Sequence, residues 1–454
     1  MSRRETVLKH FEEQKDYMDT RVKSGIELYR KGYANLKFTL PDGTQIKNLK
    51  FKATQKSHDF NFGCNMFLLD EFETEEKNKI YRKTFPEVFN YAVAPFYWDD
   101  LEPEKGNPRY EKSSKKIYRR PAPDLVLEYC HKNNIRVKGH CLVYDGFTPT
   151  WLRDKSSDEI KKEVRHHLSE ISQRYGDTIK DWDIVNEMLN WPCYGKYMNN
   201  STRQFRNNDD YVKYPFKVAS MLPFDRKFIN EATGIWENFK FDRSYYYLYL
   251  KTLMYENVEF DGIGMQFHQF CPRENEDKYA LDRYNPMRMY DVLDTYAKFD
   301  KPLQISEITI ASYNGDEEDM LIQAELLTNM YKIWFSHEKM DGIVYWNLVD
   351  GYTFVPDSAK GGMLDMNAGE NKYGGALFYN DLSPKPAWKA LKKLVNEEWH
   401  TEGEFYTNDN GIATFKGFKG IYEIEFEYNG KNYKKEFHLD GRYDFMQNIV
   451  IENL

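Results

Sequence analysis

Apolar residues recur at helical spacing through residues 5–31, where Val7, Phe11, Tyr17, Met18, Val22, Ile26 and Tyr29 stand among charges, and this predicts an amphipathic helix. The period then changes. Residues 35–40 alternate, break at Pro41-Asp42-Gly43 and resume over 45–54 with Ile46, Leu49 and Phe51, so turn residues between two runs predict a β-hairpin.

From His58 onward, short apolar runs alternate with longer helical stretches. The runs are 60–64, 89–96, 136–144, 181–185, 227–230, 262–267, 303–308 and 342–348. Several are apolar along most of their length, as strands covered on both faces by helices should be. The segments 157–175, 245–255, 287–299 and 323–337 are long enough for crossover helices. This alternation predicts an α/β fold, a (β/α)8 TIM barrel.

After Pro384-Lys385-Pro386-Ala387-Trp388, a last helix carries Leu391, Leu394 and Val395. The tail then reads as alternating strands at 411–415, 421–426 and 433–439, with Asn429-Gly430 as a hairpin signal between the last two. So short a tail is marginal alone. It is expected to join the N-terminal hairpin in a small accessory β-sandwich, a structural clamp in which Phe405, Tyr406, Phe415, Phe418, Tyr422 and Phe426 pack. The predicted organisation is therefore 1–57 helix and hairpin, 58–399 barrel, and 400–454 small β domain.

Composition narrows the ligand. Aromatic residues make up 16% of the chain, while mean hydropathy is −0.79; this excludes a membrane protein and argues against disorder. A net charge of −8 gives no basic field for nucleic acid. The rings therefore serve an aromatic core or a groove that stacks on a neutral ligand such as a sugar. Cys64, Cys130, Cys141, Cys193 and Cys271 are widely spaced, which suits free thiols and offers no zinc or redox motif. The charged start builds no apolar leader, so the expected location is cytoplasmic if Met1 is the native start and secreted if a leader has been removed.

An α/β barrel carries its active site at the carboxyl ends of its strands. Those ends hold His140, Asn186 with Glu187, Gln266 with His268, and Glu307. Glu187 and Glu307 each terminate an apolar run, where an unpaired carboxylate is expensive to bury. A structural ion pair or a solvated strand end would account for either alone. On the fourth and seventh strands, however, their tips converge across the mouth. Two carboxyls placed so can protonate a leaving oxygen and attack, or activate water at, an anomeric carbon.

Trp182-Asp183-Ile184-Val185-Asn186-Glu187, Gly139-His140, Gly262-Ile263-Gly264-Met265-Gln266-Phe267-His268, Ile305-Ser306-Glu307, Asp341-Gly342-Ile343-Val344-Tyr345-Trp346 and Pro384-Lys385-Pro386-Ala387-Trp388 resemble, in order, the motifs of glycoside hydrolase family 10, the β-1,4-xylanase family. The resemblance runs from His58 to about Val395. It implies a retaining hydrolase of β-1,4-xylan or xylo-oligosaccharides, with a carbohydrate partner and no metal or cofactor. Glu187 would be the general acid/base, protonated at the start, and Glu307 the ionised nucleophile hydrogen-bonded by His268 and Gln266, with the carboxyls about 5–5.5 Å apart. Asn186 would bind the 2-hydroxyl of the attacked sugar, and His140 and Trp346 would hold that sugar.

Departures from the pattern fall beside the pair. Val93 and Ala94 stand where the family has a Glu-Asn pair, Tyr97 where it has Lys, Tyr144-Asp145 where it has Trp-His, and Thr309 where it has an Asp bracing the strand-six His. The expected substrate-binding set is completed by Tyr97, Trp98, Tyr144 and Asp145, with Phe96, Tyr352 and Phe354 as further sugar platforms. Two alternatives stay open: a non-catalytic carbohydrate-binding protein on this barrel, and a retaining glycosidase acting on a different β-glycan or small glycoside.

Overall fold

The computed structural model describes residues 2–153, 155–189, 210–356, 363–442 and 446–452; Cys193 lies outside them. Strands β1 (Lys31–Thr39) and β2 (Lys50–His58) precede the eight predicted from the apolar runs: β3 (Asn61–Asn65), β4 (Tyr91–Pro95), β5 (Arg136–Val143), β6 (Asp181–Asn186), β7 (Arg226–Glu231), β8 (Gly262–His268), β9 (Leu303–Thr309) and β10 (Met340–Tyr345). These eight close into a barrel in the order β10-β3-β4-β5-β6-β7-β8-β9, with every described pairing parallel.

Local chemistry sets the surrounding helices. The helix Ser157–Tyr175 begins at a capping box between Ser156 and Glu159, and it turns Ile160, Val164, Leu168 and Ile171 onto the barrel at helical spacing. The N-terminal helix is not continuous, as expected from its pattern, but runs as Arg3–Val7, Lys9–Glu13 and Lys15–Gly25. The segmented path lets Arg3 reach Glu276 and Asp319 while Phe11, Met18 and Val22 stay in the core.

At Gly139 on β5, a Cβ would lie 2.2 Å from the Trp182 ring of β6. Only glycine admits that indole into the barrel wall. The interior is more polar than the apolar runs imply. Tyr91 donates to Asp181 at 2.6 Å, Lys138 pairs with Asp183 at 2.7 Å and donates to Gln304 at 3.0 Å.

The accessory sandwich forms from both ends of the chain. β11 (Glu402–Tyr406), β12 (Ile412–Phe418), β13 (Gly420–Tyr428), β14 (Lys431–Leu439) and β15 (Met446–Val450) complete two sheets, β12-β1-β15 and β11-β2-β13-β14. β13 and β14 pair through Asn429 and Gly430, both at positive φ, as that dipeptide predicts.

The N-terminal hairpin is a correction: β1 and β2 lie in different sheets. Across Pro41-Asp42-Gly43 the antiparallel pairing extends only to a bridge between Thr39 and Gln45 and the Ile46 N–H on the Phe38 carbonyl, and it does not continue into β2. A two-stranded hairpin would leave its apolar face open. Divided between two sheets, Phe38 and Phe51 instead meet across the core with ring centroids 5.0 Å apart. Two further corrections concern the tail. β11 and β15 were not legible as strands, and Tyr406 is exposed.

Trp399 joins the two parts. It stacks on Phe335 at 4.2 Å and on Phe62 of β3 at 5.7 Å, and Phe418 of β12 approaches Phe335 at 6.1 Å.

Candidate active site

Glu187 follows β6 immediately, and Glu307 lies within β9. Glu187 takes a φ of 50°, an uncommon left-handed conformation for a residue with a Cβ, and its N–H donates to the Asn230 carbonyl at 2.9 Å. Tyr144 Oη donates to its Oε2 at 2.7 Å, and Gln266 Nε2 donates to its Oε1 at 3.2 Å. The side chain of Glu187 is half-buried, whereas Glu307 is 4% exposed.

Glu307 is held from two strands. Asn230 Nδ2 donates to Oε1 at 2.9 Å and to Asn186 Oδ1 at 2.8 Å. His268 Nε2 meets Oε2 at 3.1 Å, and its Nδ1 lies 2.9 Å from Thr309 Oγ1. With Glu307 ionised, the imidazole donates from Nε2 and accepts the Thr309 hydroxyl proton at Nδ1.

Burial raises Glu307 most, His140 opposes it, and the charges of Glu187 and Asp183 add to it, leaving the carboxyl at about 8. Burial also lowers His268 to about 4, so this imidazole is neutral and brings no positive charge to its partner. Glu307 is thus raised, although it is the carboxyl expected to be ionised. The physical cause is a buried position whose direct donors, Asn230 and a neutral imidazole, carry no charge.

His140 is fixed from behind. Its Nδ1 meets Asp183 Oδ2 at 2.8 Å and its Nε2 meets Tyr97 Oη at 3.1 Å, so both ring nitrogens have partners within the protein. Burial raises Asp183, but Lys138 and His140 more than offset it, and the carboxyl lies below its ordinary value. His140 Nε2 stands 3.8 Å from Glu307 Oε1. Trp346 presents edge-to-face contacts to both histidines, with ring centroids 5.6 Å from His140 and 6.0 Å from His268.

The structure therefore gathers Glu187, Glu307, Asn186, His140, Gln266, His268, Tyr144, Tyr97 and Trp346. Gln266 is a correction in detail: it reaches Glu187 and Asn186, not Glu307, and the β8–β9 register shifts between Gly264 and Gln266. Trp98 is a larger correction. It opens the short helix Trp98–Leu101, stacks on His167 at 4.1 Å and donates to Glu102, so it packs against helix Ser157–Tyr175.

Phe96 is buried against Trp182 and Tyr175, and Tyr352 is buried with its hydroxyl on Glu73; neither is a sugar platform. Phe354 is partly exposed, 6.2 Å from Phe147. Asp145 is buried, and its N–H donates to Tyr211 Oη, which donates in turn to the Asn186 carbonyl.

Sequence reasoning missed Asn230, which ties Asn186 to Glu307. The signal was the Asn230-Glu231 end of its run, a second copy of the Asn-Glu pair on the neighbouring strand. Glu231 is buried too and pushed up to about 8, first by burial, against hydrogen bonds from the main chain of Leu189 and Thr233. Among the described residues, no group of three or more His, Cys, Asp or Glu side chains could hold a metal ion. Cys64, Cys130, Cys141 and Cys271 are free thiols.

Endo-1,4-beta-xylanase A of Caldicellulosiruptor saccharolyticus is 24% identical over 246 residues, which are 50% of this chain and 68% of that protein. Anti-sigma-I factor RsgI6 of Acetivibrio thermocellus is 22% identical over 330 residues, 72% of this chain, which spans only 36% of that protein. The crystal structure of native xylanase 10B from Thermotoga maritima shares the fold, with a TM-score of 0.57 at 20% identity over 75% of this chain and 96% of that one. The profile of glycosyl hydrolase family 10 matches residues 52–394. The chain belongs to glycosyl hydrolase family 10 and is a glycosyl hydrolase.

Proposed function

We propose that the protein hydrolyses β-1,4-linked xylo-oligosaccharides with retention of anomeric configuration. The observation that carries this reading is the complementary anchoring of Glu187 and Glu307. Glu307 is buried and held by Asn230 and His268, while Glu187 is half-buried and held by Tyr144 and Gln266. Glu307 attacks the anomeric carbon as the glycosidic bond breaks, and Glu187 gives its proton to the leaving oxygen. Glu187 then takes a proton from water as that water displaces Glu307, which returns the site to its starting state.

Asn186, oriented by Asn230, is placed to contact the 2-hydroxyl beside Glu307, a bond that strengthens as the sugar ring flattens. The xylanase names of relatives support xylose as the sugar. The test is hydrolysis of xylo-oligosaccharides and aryl β-xylosides by wild type, Glu187→Gln and Glu307→Gln. Wild type is expected to be active and Glu307→Gln inactive on every substrate. Glu187→Gln should retain the first step only on aryl glycosides whose leaving group needs no proton.

A further inference from the structure

We propose that Tyr97 closes the glycone side of the site beyond one sugar, so that this hydrolase removes single units from the non-reducing end of its substrate. The inference rests on the assignment of Glu187 and Glu307 given above. The attacked sugar lies against Glu307, and its glycosidic oxygen faces Glu187. In a 1,4-linked pyranose the preceding sugar leaves opposite the anomeric carbon, away from Glu187 at the end of β6; across the ring from β6 lie β10 and β3, which Tyr97, beyond β4, meets through Phe67 and Trp346.

Tyr97 stands there, two residues beyond β4, and is only 5% exposed. Its hydroxyl occupies His140 Nε2 at 3.1 Å, and the other nitrogen of that ring is committed to Asp183. A sugar hydroxyl arriving from this side finds no unoccupied nitrogen on His140. The ring itself packs on Phe147 at 4.4 Å and edge-on to Phe67 at 5.9 Å, and Phe67 meets Trp346 at 5.2 Å.

The group is capped and anchored. The Arg120 guanidinium lies 4.1 Å from the Tyr97 ring centroid, and it is held in turn by Asp100 at 2.5 Å and by the Arg119 carbonyl at 3.1 Å. Below Tyr97, Val93 continues the same buried apolar group into the barrel. A second sugar would have to dislodge an interlocked aromatic cluster and break the Tyr97–His140 bond. Exclusion by a filled subsite discriminates through the penalty placed on the wrong substrate.

The experiment follows xylotetraose labelled at its reducing end by mass spectrometry and compares kcat/KM for aryl β-xyloside with that for aryl β-xylobioside. Wild type is expected to release xylose and labelled xylotriose first, and to prefer the xyloside by about tenfold or more. Tyr97→Ala should reduce that preference by about tenfold, whereas Tyr97→Phe, which keeps the ring, should preserve it. Release of xylobiose or internal cleavage by wild type overturns the proposal and leaves the catalytic assignment standing, and so does an unchanged preference in folded Tyr97→Ala. Wild type inert toward every xyloside overturns the assignment, and the proposal with it. The wild-type product pattern decides the matter even if Tyr97→Ala fails to fold.

Discussion

Tyr144 Oη donates a 2.7 Å hydrogen bond to Glu187 Oε2. With Gln266 on the other oxygen at 3.2 Å, the carboxyl is held at both ends by uncharged donors from β8 and from the residue that follows β5. A hydrogen bond to a carboxylate is stronger than one between neutral groups. Tyr144→Phe is therefore expected to lower kcat by about tenfold on substrates with poor leaving groups, and by less on activated aryl glycosides, which need little proton donation. Equal losses on both substrate classes would mean that Tyr144 does not act through Glu187.

Thr309 gives His268 Nδ1 an uncharged partner. Its hydroxyl lies 2.9 Å from Nδ1, where a carboxylate would stabilise the imidazolium, and burial holds this histidine at about 4. Thr309→Asp is expected to raise His268. As a cation, the ring then lowers Glu307 from about 8. Because Glu307 must be ionised to attack, the acidic limb of kcat/KM against pH should move down by about one unit. An unmoved or rising limb would contradict this coupling.

Burial of Glu307 also makes stability depend on pH. Its folded value of about 8 lies above the ordinary 4.5. Between those values the folded state keeps a proton that the unfolded chain has lost, so the group's contribution to stability is full below 4.5 and declines as pH rises to 8. Glu307→Gln removes this loss. The gain in Tm over wild type should be larger at pH 8 than at pH 5, measured by calorimetry in matched buffers. A gain that shrinks with pH would reverse the sign.

The sandwich is attached through Trp399, which is buried between Phe335 and Phe62. Trp399→Ala should destabilise the protein by about 3–5 kcal/mol in denaturant unfolding, because it leaves a cavity at the joint. Activity of the folded variant should remain near that of wild type, since the ring partners of Trp399 are Phe62 of β3 and Phe335 of the helix Glu317–Ser336, not the residues that hold Glu187 and Glu307. A large fall in kcat would show that the sandwich reaches the site.

What was legible in the sequence depended on period and on position along a strand. The eight barrel strands are apolar runs, so burial on both faces marked them, and the strand ends marked Glu187, Glu307, His140, Asn186 and His268. Ring placement was not legible. Trp98 and Phe96 sit within two residues of Tyr97, yet the short helix at Trp98 turns that ring to His167 while Tyr97 stays against His140.

The division of β1 and β2 between two sheets was hidden for a similar reason. Local alternation reports which face is buried, not which strand lies beside it. Lys138 and Asp183 each interrupt an apolar run, and only their meeting across β5 and β6 reveals an ion pair that supports His140.

The central claim, two-step displacement at Glu307 assisted by Glu187, is tested most directly by the anomer first released. Proton NMR of xylo-oligosaccharide hydrolysis should show the β-anomer appearing before mutarotation, and no product with Glu307→Gln. Initial release of the α-anomer, or hydrolysis that survives Glu307→Gln, would contradict the account.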